Sequence, residues 1–297
     1  MKRFLLTVLL GGLCSCEHIE FVSGTDTPAP TETEAKNFTF TIKGDFTNPE
    51  FSTVPDESSS VTTRSNAYMT ADGVELTDMW VIDYKGGTIV QQLHQYNTDD
   101  NWGAPTMSLT LGTHHILFLA SRGIEPAYNE GIVTWAKPYD TFYCDYEVTV
   151  VKTSNGNRAV TLDRVATKVN LVIEDVVPVG TTSIVLEPSV WYNGWNMLTG
   201  VPVAAANYQQ TLAIPASWGG KTERMASSWS LSAADEWVTD LHYTSYVGVE
   251  KNGEVLIEGA PLKANRATNY MGNFYSNVGE SNVSLNAEWL TAYEGVY

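Results

Sequence analysis

The residues best placed to do chemistry stand at the start of the chain, in LLGGLCSCEHIE, where Cys14 and Cys16 lie one residue apart directly after an apolar run. Side chains at i and i+2 do not readily meet the Cα spacing and dihedral of a disulfide. A metal site needs more ligands close by than His18 alone provides. The chemistry left is cleavage and acylation. Lys2 and Arg3 form a positive leader, Phe4 to Leu13 a short apolar stretch, and small residues follow, which is the layout of a secretory signal. The stretch is shorter than the roughly 20 apolar residues of a spanning helix. A bacterial lipoprotein signal has an aliphatic residue, two small residues and then the acylated cysteine. Leu13, Cys14 and Ser15 before Cys16 fit that pattern, whereas Gly11, Gly12 and Leu13 before Cys14 fit it badly. The expectation is a signal peptide over residues 1–15, lost together with Cys14, and a lipid on Cys16. Acyl chains bury about 0.8 kcal/mol per methylene and more than one chain anchors stably, so the mature protein would hang from a membrane surface. An ordinary cleaved secretory peptide is the alternative.

The other reactive side chains form no convergent set. The five histidines are His18, His94, His114, His115 and His242. His114 and His115 are adjacent, so in a strand they point to opposite faces, one to the core and one to solvent, and cannot share an ion. DDNWG at 99–103 begins like a calcium loop but lacks the later oxygen ligands and the closing Glu, so it reads as a turn. Glu174 and Asp175 end a strand, where neighbours cannot face one substrate, and a glycosidase pair would have to come from distant positions. Gly86-Gly87 opens no helix and is no phosphate loop. No GxSxG occurs. With Cys14 removed and Cys16 acylated, Cys144 is the one free thiol, in the strand-like DTFYCDYEVTV with no base nearby, and is expected to be buried and inert. No catalytic residue, metal ligand or cofactor is expected. Trp191, Tyr192 and Trp195 cluster around a glycine in WYNGWNMLTG. Exposed, they could stack on sugar rings; tryptophans of an all-β protein more often fill the core.

Elements that could position these residues are almost all strands. About 280 of the 297 residues follow the signal, enough for two domains. The formal charge is −17, from 17 Lys and Arg against 34 Asp and Glu, which repels nucleic acid and anionic lipid. Residues 16–36, with SGTDTPAPTETEAK, are too polar to order themselves and read as a flexible tether. FTFTIKGDF then alternates Phe38, Phe40 and Ile42 with Thr39, Thr41 and Lys43, the period of a half-buried strand. TNPEFSTVPDESSSVTTR reads as a long exposed loop. MWVIDYKGGTIVQQLHQY reads as a hairpin turning at Gly86-Gly87, and Asn155-Gly156 and Asn252-Gly253 as two more hairpin turns. KVNLVIEDV sets Val169, Leu171 and Ile173 on one face. ASSWSLSAADEWV has room for one or two helical turns. Many short strands between turn signals argue an all-β fold of two tandem sandwiches, 37–163 and 164–297.

Several stretches resemble the fimbrillin-associated anchor family, minor subunits of Bacteroidales-type fimbriae: LTDMWVIDYKGGTIVQQLHQ, MSLTLGTHHILFLASRG, VTLDRVATKVNLVIEDVVP, PLKANRATNYMGNFYS and VSLNAEW. Glu17 and Glu20 after the lipid site also resemble a lipoprotein surface-export signal of such bacteria. The resemblance runs over nearly the whole chain and its motifs are structural. It implies two transthyretin-like β-sandwiches in a non-enzymatic outer-membrane lipoprotein, held through Cys16, that anchors or assembles fimbriae and supports adhesion. Its partners would be other fimbrial subunits and a host or bacterial surface receptor. Such subunits join by donor-strand addition, one chain's strand completing another's sheet, and an edge strand's unpaired backbone groups make that physically accessible. FTFTIKGDF would then fill the groove within its own subunit. In polymerising relatives a protease cuts after an arginine beyond this strand, and Arg64 holds the matching place. Arg64 is otherwise a solvated loop residue, and cutting there would free the body from its lipid. The closing SNVSLNAEWLTAYEGVY reads either as a core strand with a short tail or as a free donor.

Overall fold

The computed structural model describes residues 34–44, 75–233 and 235–276, together with the backbone of 293–296. The described strands of the first half are β1 (Ala35–Lys43), β2 (Asp78–Lys85), β3 (Thr88–Tyr96), β4 (Thr106–Thr110), β5 (Gly112–Ser121), β6 (Ile124–Asn129), β7 (Ile132–Lys137), β8 (Thr141–Val150), β9 (Asn157–Thr161) and β10 (Asp163–Arg164). Those of the second are β11 (Ala166–Ile173), β12 (Ser183–Pro188), β13 (Tyr192–Asn196), β14 (Val201–Ala204), β15 (Gln210–Ala213), β16 (Arg224–Leu231), β17 (Trp237–Val247), β18 (Glu250–Leu262), β19 (Arg266–Gly272) and β20 (Tyr293–Val296). A 3-10 turn, Ala216–Trp218, interrupts them, and no α-helix occurs among the described residues. The protein is an all-β sandwich fold.

Five sheets form, in the orders β4-β1-β9, β10-β8-β5-β2-β3, β14-β13-β7-β6, β16-β11-β19-β20 and β15-β12-β17-β18. The five-stranded sheet is covered on both faces. Met79 and Val81 of β2 join Phe118 and Phe142 in the core under β4-β1-β9. Trp80 and Ile82, pointing the other way, join Leu117, Leu119, Val133, Trp135 and Trp195 in a second core under β14-β13-β7-β6. A strand buried on both faces reads as a continuous apolar run, which is why MWVI shows no alternation. The third core lies between the last two sheets. Val169, Leu171 and Ile173 enter it from one face of β11, each 0% exposed.

One sheet draws on both halves of the chain, because β13 pairs antiparallel with β7, Gly194 opposite Thr134. A buried ion pair ties the same seam. Arg164 reaches Asp140 through Nε at 2.7 Å and Nη2 at 3.0 Å, donates from Nη1 to Asn265 Oδ1 at 3.1 Å, and lies 4.7 Å from the Phe142 ring centroid. Such bidentate pairing is the strong form of a charge-assisted hydrogen bond.

Three sequence expectations change. Gly86-Gly87 does turn a hairpin, β2 to β3. Asn155-Gly156 does not: it carries the chain out of the five-stranded sheet, and β9 pairs parallel with β1 instead of returning along β8. The last hairpin turns between Val247 and Glu250, so Asn252-Gly253 lies inside β18. Gly253 serves packing there, since a Cβ would stand 2.8 Å from the Phe274 ring and 3.0 Å from Tyr275. The described residues of ASSWSLSAADEWV hold no helix but the end of β16 and the start of β17, because Ala226 and Trp229 are claimed by two cores.

Candidate functional site

β1 fills a slot between β4 and β9. Its strand propensity is plain from the alternation of aromatic and β-branched residues. Phe38 and Phe40 are 0% exposed and Ile42 is 4% exposed. Phe40 meets the Phe118 and Tyr146 rings at centroid distances of 5.3 and 6.2 Å, both edge-on, the geometry that aromatic quadrupoles prefer. The guanidinium of Arg158 lies 5.1 Å from the Phe38 centroid. β1 is also central in its sheet. Ala35–Thr39 pair antiparallel with β4, and Thr39–Lys43 pair parallel with β9. Pro105 and Gly103 carbonyls extend the first edge, accepting from Phe40 N and Ile42 N at 2.9 and 3.0 Å. Without β1, two facing backbone edges and a lined apolar trough would be left, which is the form of a strand-acceptor site.

Two features set the walls of the slot. Gly156 lies against β1: Thr39 N donates to its carbonyl, and a Cβ there would stand 2.0 Å from the Asn37 carbonyl oxygen. At the other wall, His114 is 0% exposed and bridges Asp83 Oδ1 at 2.7 Å and the Thr110 carbonyl at 2.9 Å. Lys85 Nζ donates to Thr110 Oγ1 and the Leu111 carbonyl, each at 2.8 Å. Both side chains pin the end of β4 to the five-stranded sheet. The adjacent His115 faces outward to Asp145 at 2.9 Å, so the pair divides between core and solvent as the strand period requires.

Cys16 and Arg64 lie outside the described residues. The three aromatics weighed as a sugar platform do not form one. Trp191 and Trp195 are 1% and 2% exposed. Trp191 donates from Nε1 to the Trp229 carbonyl at 3.0 Å and stacks on Tyr208, while Trp195 packs on Tyr143. Half-buried Tyr192 is turned edge-on to Trp237 at 4.8 Å. The apolar demand of two cores outweighs exposure of these rings. DDNWG turns β3 toward β4, with Asp99 accepting from Tyr96 N at 2.9 Å. Cys144 is half-buried against the core under β1, and burial, with Asp163 and Asp145 nearby, pushes its thiol up to about 11.

Asp175, which the sequence marked only as a carboxylate at a strand end, has a structural role. Asp175 accepts from the backbone N–H of Phe274, Tyr275 and Ser276 at 3.0, 2.6 and 2.7 Å, and from Ser276 Oγ at 3.0 Å. It fixes the chain at the point where it leaves β19, and its partners are about 100 residues away in sequence.

No helix among the described residues is long and apolar enough to cross a membrane. No protein-family model matches the chain, and no curated protein matches it. Solved structures do resemble it. They include candidate adhesins and cell adhesion proteins of Bacteroides and a tip fimbrial protein of Porphyromonas gingivalis. A candidate adhesin of Bacteroides ovatus shares 11% identity over 84% of this chain and 88% of its own, with a TM-score of 0.48. A candidate cell adhesion protein of Bacteroides eggerthii shares 10% identity over 91% and 97%, with a TM-score of 0.39. The C-terminally truncated tip fimbrial protein Mfa3 of Porphyromonas gingivalis shares 13% identity over 66% and 88%, with a TM-score of 0.36.

Proposed function

We propose that this chain is a non-enzymatic, cell-surface fimbrial subunit, an anchor or accessory component held to the outer membrane by a lipid on Cys16. In this reading residues 37–163 and 164–297 are two tandem domains, and the first works by β-strand complementation. Phe38, Phe40 and Ile42 mark the exchangeable strand, and its departure opens a groove for a strand of a neighbouring fimbrial subunit. The supporting observation is β1 itself. It fills a central position in its sheet and a shared core, yet it enters from the N-terminal side of residues 45–74 instead of from a hairpin with either neighbour. Backbone pairing on two edges supplies affinity for an incoming strand, and the pockets of Phe38, Phe40 and Ile42 supply selectivity.

The test uses a chain beginning at Ser65 and a labelled peptide of residues 35–43. Binding is expected, and a peptide carrying Phe40→Asp is expected not to bind; a Ser65 chain that folds and ignores the wild-type peptide would sink the complementation reading. The N-terminus and intact mass of protein from its native membrane test the anchor. Acylated Cys16 running to Tyr297 supports it, whereas a lipid-free chain starting at Ser65 makes the protein a polymerising subunit cut after Arg64.

A further inference from the structure

Arg122, Lys137 and Tyr139 stand together at the seam of the two halves, far from β1 in the sheet order. Lys137 Nζ lies 4.9 Å and Arg122 Cζ 5.7 Å from the centroid of the same Tyr139 ring. All three side chains are half-buried and reachable from the surface. Neither cation has a carboxylate within 4.0 Å or a hydrogen bond among the described residues. That arrangement is unexpected in this chain. Acidic residues outnumber basic ones 34 to 17, so a neutralising carboxylate is the commonest neighbour available. Two like charges beside one ring repel each other, and the ring quadrupole offsets only part of that cost.

The cluster is also built to hold its shape. Gly123 N donates to Ser121 Oγ at 3.0 Å, Ser121 Oγ and Thr141 Oγ1 are hydrogen-bonded at 2.9 Å, and Thr141 Oγ1 donates to the Tyr139 carbonyl at 2.9 Å. This buried relay ties the backbone beside Arg122 to the backbone of Tyr139, and such chains polarise one another and stiffen. Gly123 lies flat on Trp135, where a Cβ would come within 1.9 Å of the ring. Ile124 pairs with Lys137, which brings the two strand ends side by side.

We propose that Arg122, Lys137 and Tyr139 form a binding site for an acidic saccharide. The two cations hold a carboxylate or sulfate group, and the aromatic ring offers the apolar surface that sugar C–H groups pack against. A small inorganic anion would leave the ring unused. This inference goes beyond the strand-complementation reading and does not depend on β1.

The test is binding of the full mature chain to polygalacturonate, which carries carboxylates, and to heparin, which carries sulfates, with dextran as the neutral control. Binding to at least one acidic polymer is expected, weakening as ionic strength rises from about 0.05 M to about 0.2 M, with none to dextran. Arg122→Gln and Lys137→Gln should each lower affinity roughly tenfold, the worth of one charge-assisted contact. Arg122→Lys should retain most of it, and Lys152→Gln, an exposed charge elsewhere, should change nothing. No acidic polymer bound, an unchanged affinity in the double glutamine variant, or equal affinity for polyglutamate would each overturn the proposal. Binding of the β1 peptide is indifferent to these variants, so the two readings fail separately.

Discussion

The first strand of each half occupies the same position. β1 pairs antiparallel with β4 on one side and parallel with β9 on the other; β11 pairs antiparallel with β16 and parallel with β19. Both send three apolar side chains into a core, Phe38, Phe40 and Ile42 from one and Val169, Leu171 and Ile173 from the other. The difference lies in how they are held. β11 follows β10 after one residue and pairs along its whole length, Ala166–Ile173 with β16 and Thr167–Ile173 with β19. β1 pairs with β4 over Ala35–Thr39, an edge that the Pro105 and Gly103 carbonyls continue, and with β9 over Thr39–Lys43, and its chain continues into residues 45–74 before β2 begins. The proposed strand complementation rests on this difference in connection, and it implies that β1 can leave its sheet while β11 stays in its own. A strand that follows its predecessor after one residue is placed together with it, whereas closing the long connection after β1 costs only slightly more than closing a short one, because that cost grows slowly with length.

The largest expected effect breaks this comparison directly. Phe40→Ala should destabilise the first half by about 3–5 kcal/mol and Leu171→Ala the second by about 2–5 kcal/mol, transfer and cavity costs together. Added peptide of residues 35–43 should restore stability to the Phe40 variant and leave the Leu171 variant unchanged, as read by chemical denaturation. Rescue of neither would mean that β1 is as fixed as β11. Next comes the seam. Arg164→Met leaves Asp140 buried without its guanidinium and should cost about 3 kcal/mol. If the ion pair couples the halves, hydrogen exchange will rise on both sides of the seam, in β8 and in β11. A rise confined to one half would show that each strand system stands alone.

Much of this contrast was legible in the sequence, and the illegible part has a physical cause. The alternation of FTFTIK and the one-faced Val169, Leu171 and Ile173 are local consequences of burial on one face, so period alone finds them. MWVI was recognisable as a strand, but its double burial depends on a sheet whose strands come from both halves. The Asn-Gly pairs misled because turn chemistry marks a bend without saying where the chain goes next. At Asn155-Gly156 it goes to another sheet, and at Asn252-Gly253 the aromatic packing of Phe274 and Tyr275 accounts for the glycine. Trp191 and Trp195 could be weighed but not placed from composition. The walls of the β1 slot, Gly156 and His114, and the cluster at Tyr139 are assembled by long-range pairing, and no spacing rule links their members.

A smaller effect sharpens the comparison at one wall. Gly156→Ala puts a methyl into the Asn37 carbonyl, and the backbone must shift to admit it, at a cost of about 1–3 kcal/mol. Amides of β1 and β9 should lose protection while those of β11 keep theirs. The variant should also weaken binding of the β1 peptide to the Ser65 chain. Unchanged protection in β1 would mean that the strand sits less closely against Gly156 than the structure describes.

The last effect is read by chemical labelling and reports on strand position. Cys144 packs against the core that β1 closes, and burial is the chief cause of its raised thiol value of about 11. At pH 8 a group of that value is about one part in a thousand thiolate, against about one part in four for a free cysteine near 8.5. Alkylation of the native chain should therefore be slow at pH 8 and should quicken as pH rises toward 11. Removing β1 lowers the burial, so the value falls and labelling at pH 8 should accelerate by up to about two orders of magnitude. Excess β1 peptide should slow it again. Equal labelling rates with and without β1 would show that Cys144 is shielded by β8 and its neighbours alone, and that the thiol cannot see the strand leave.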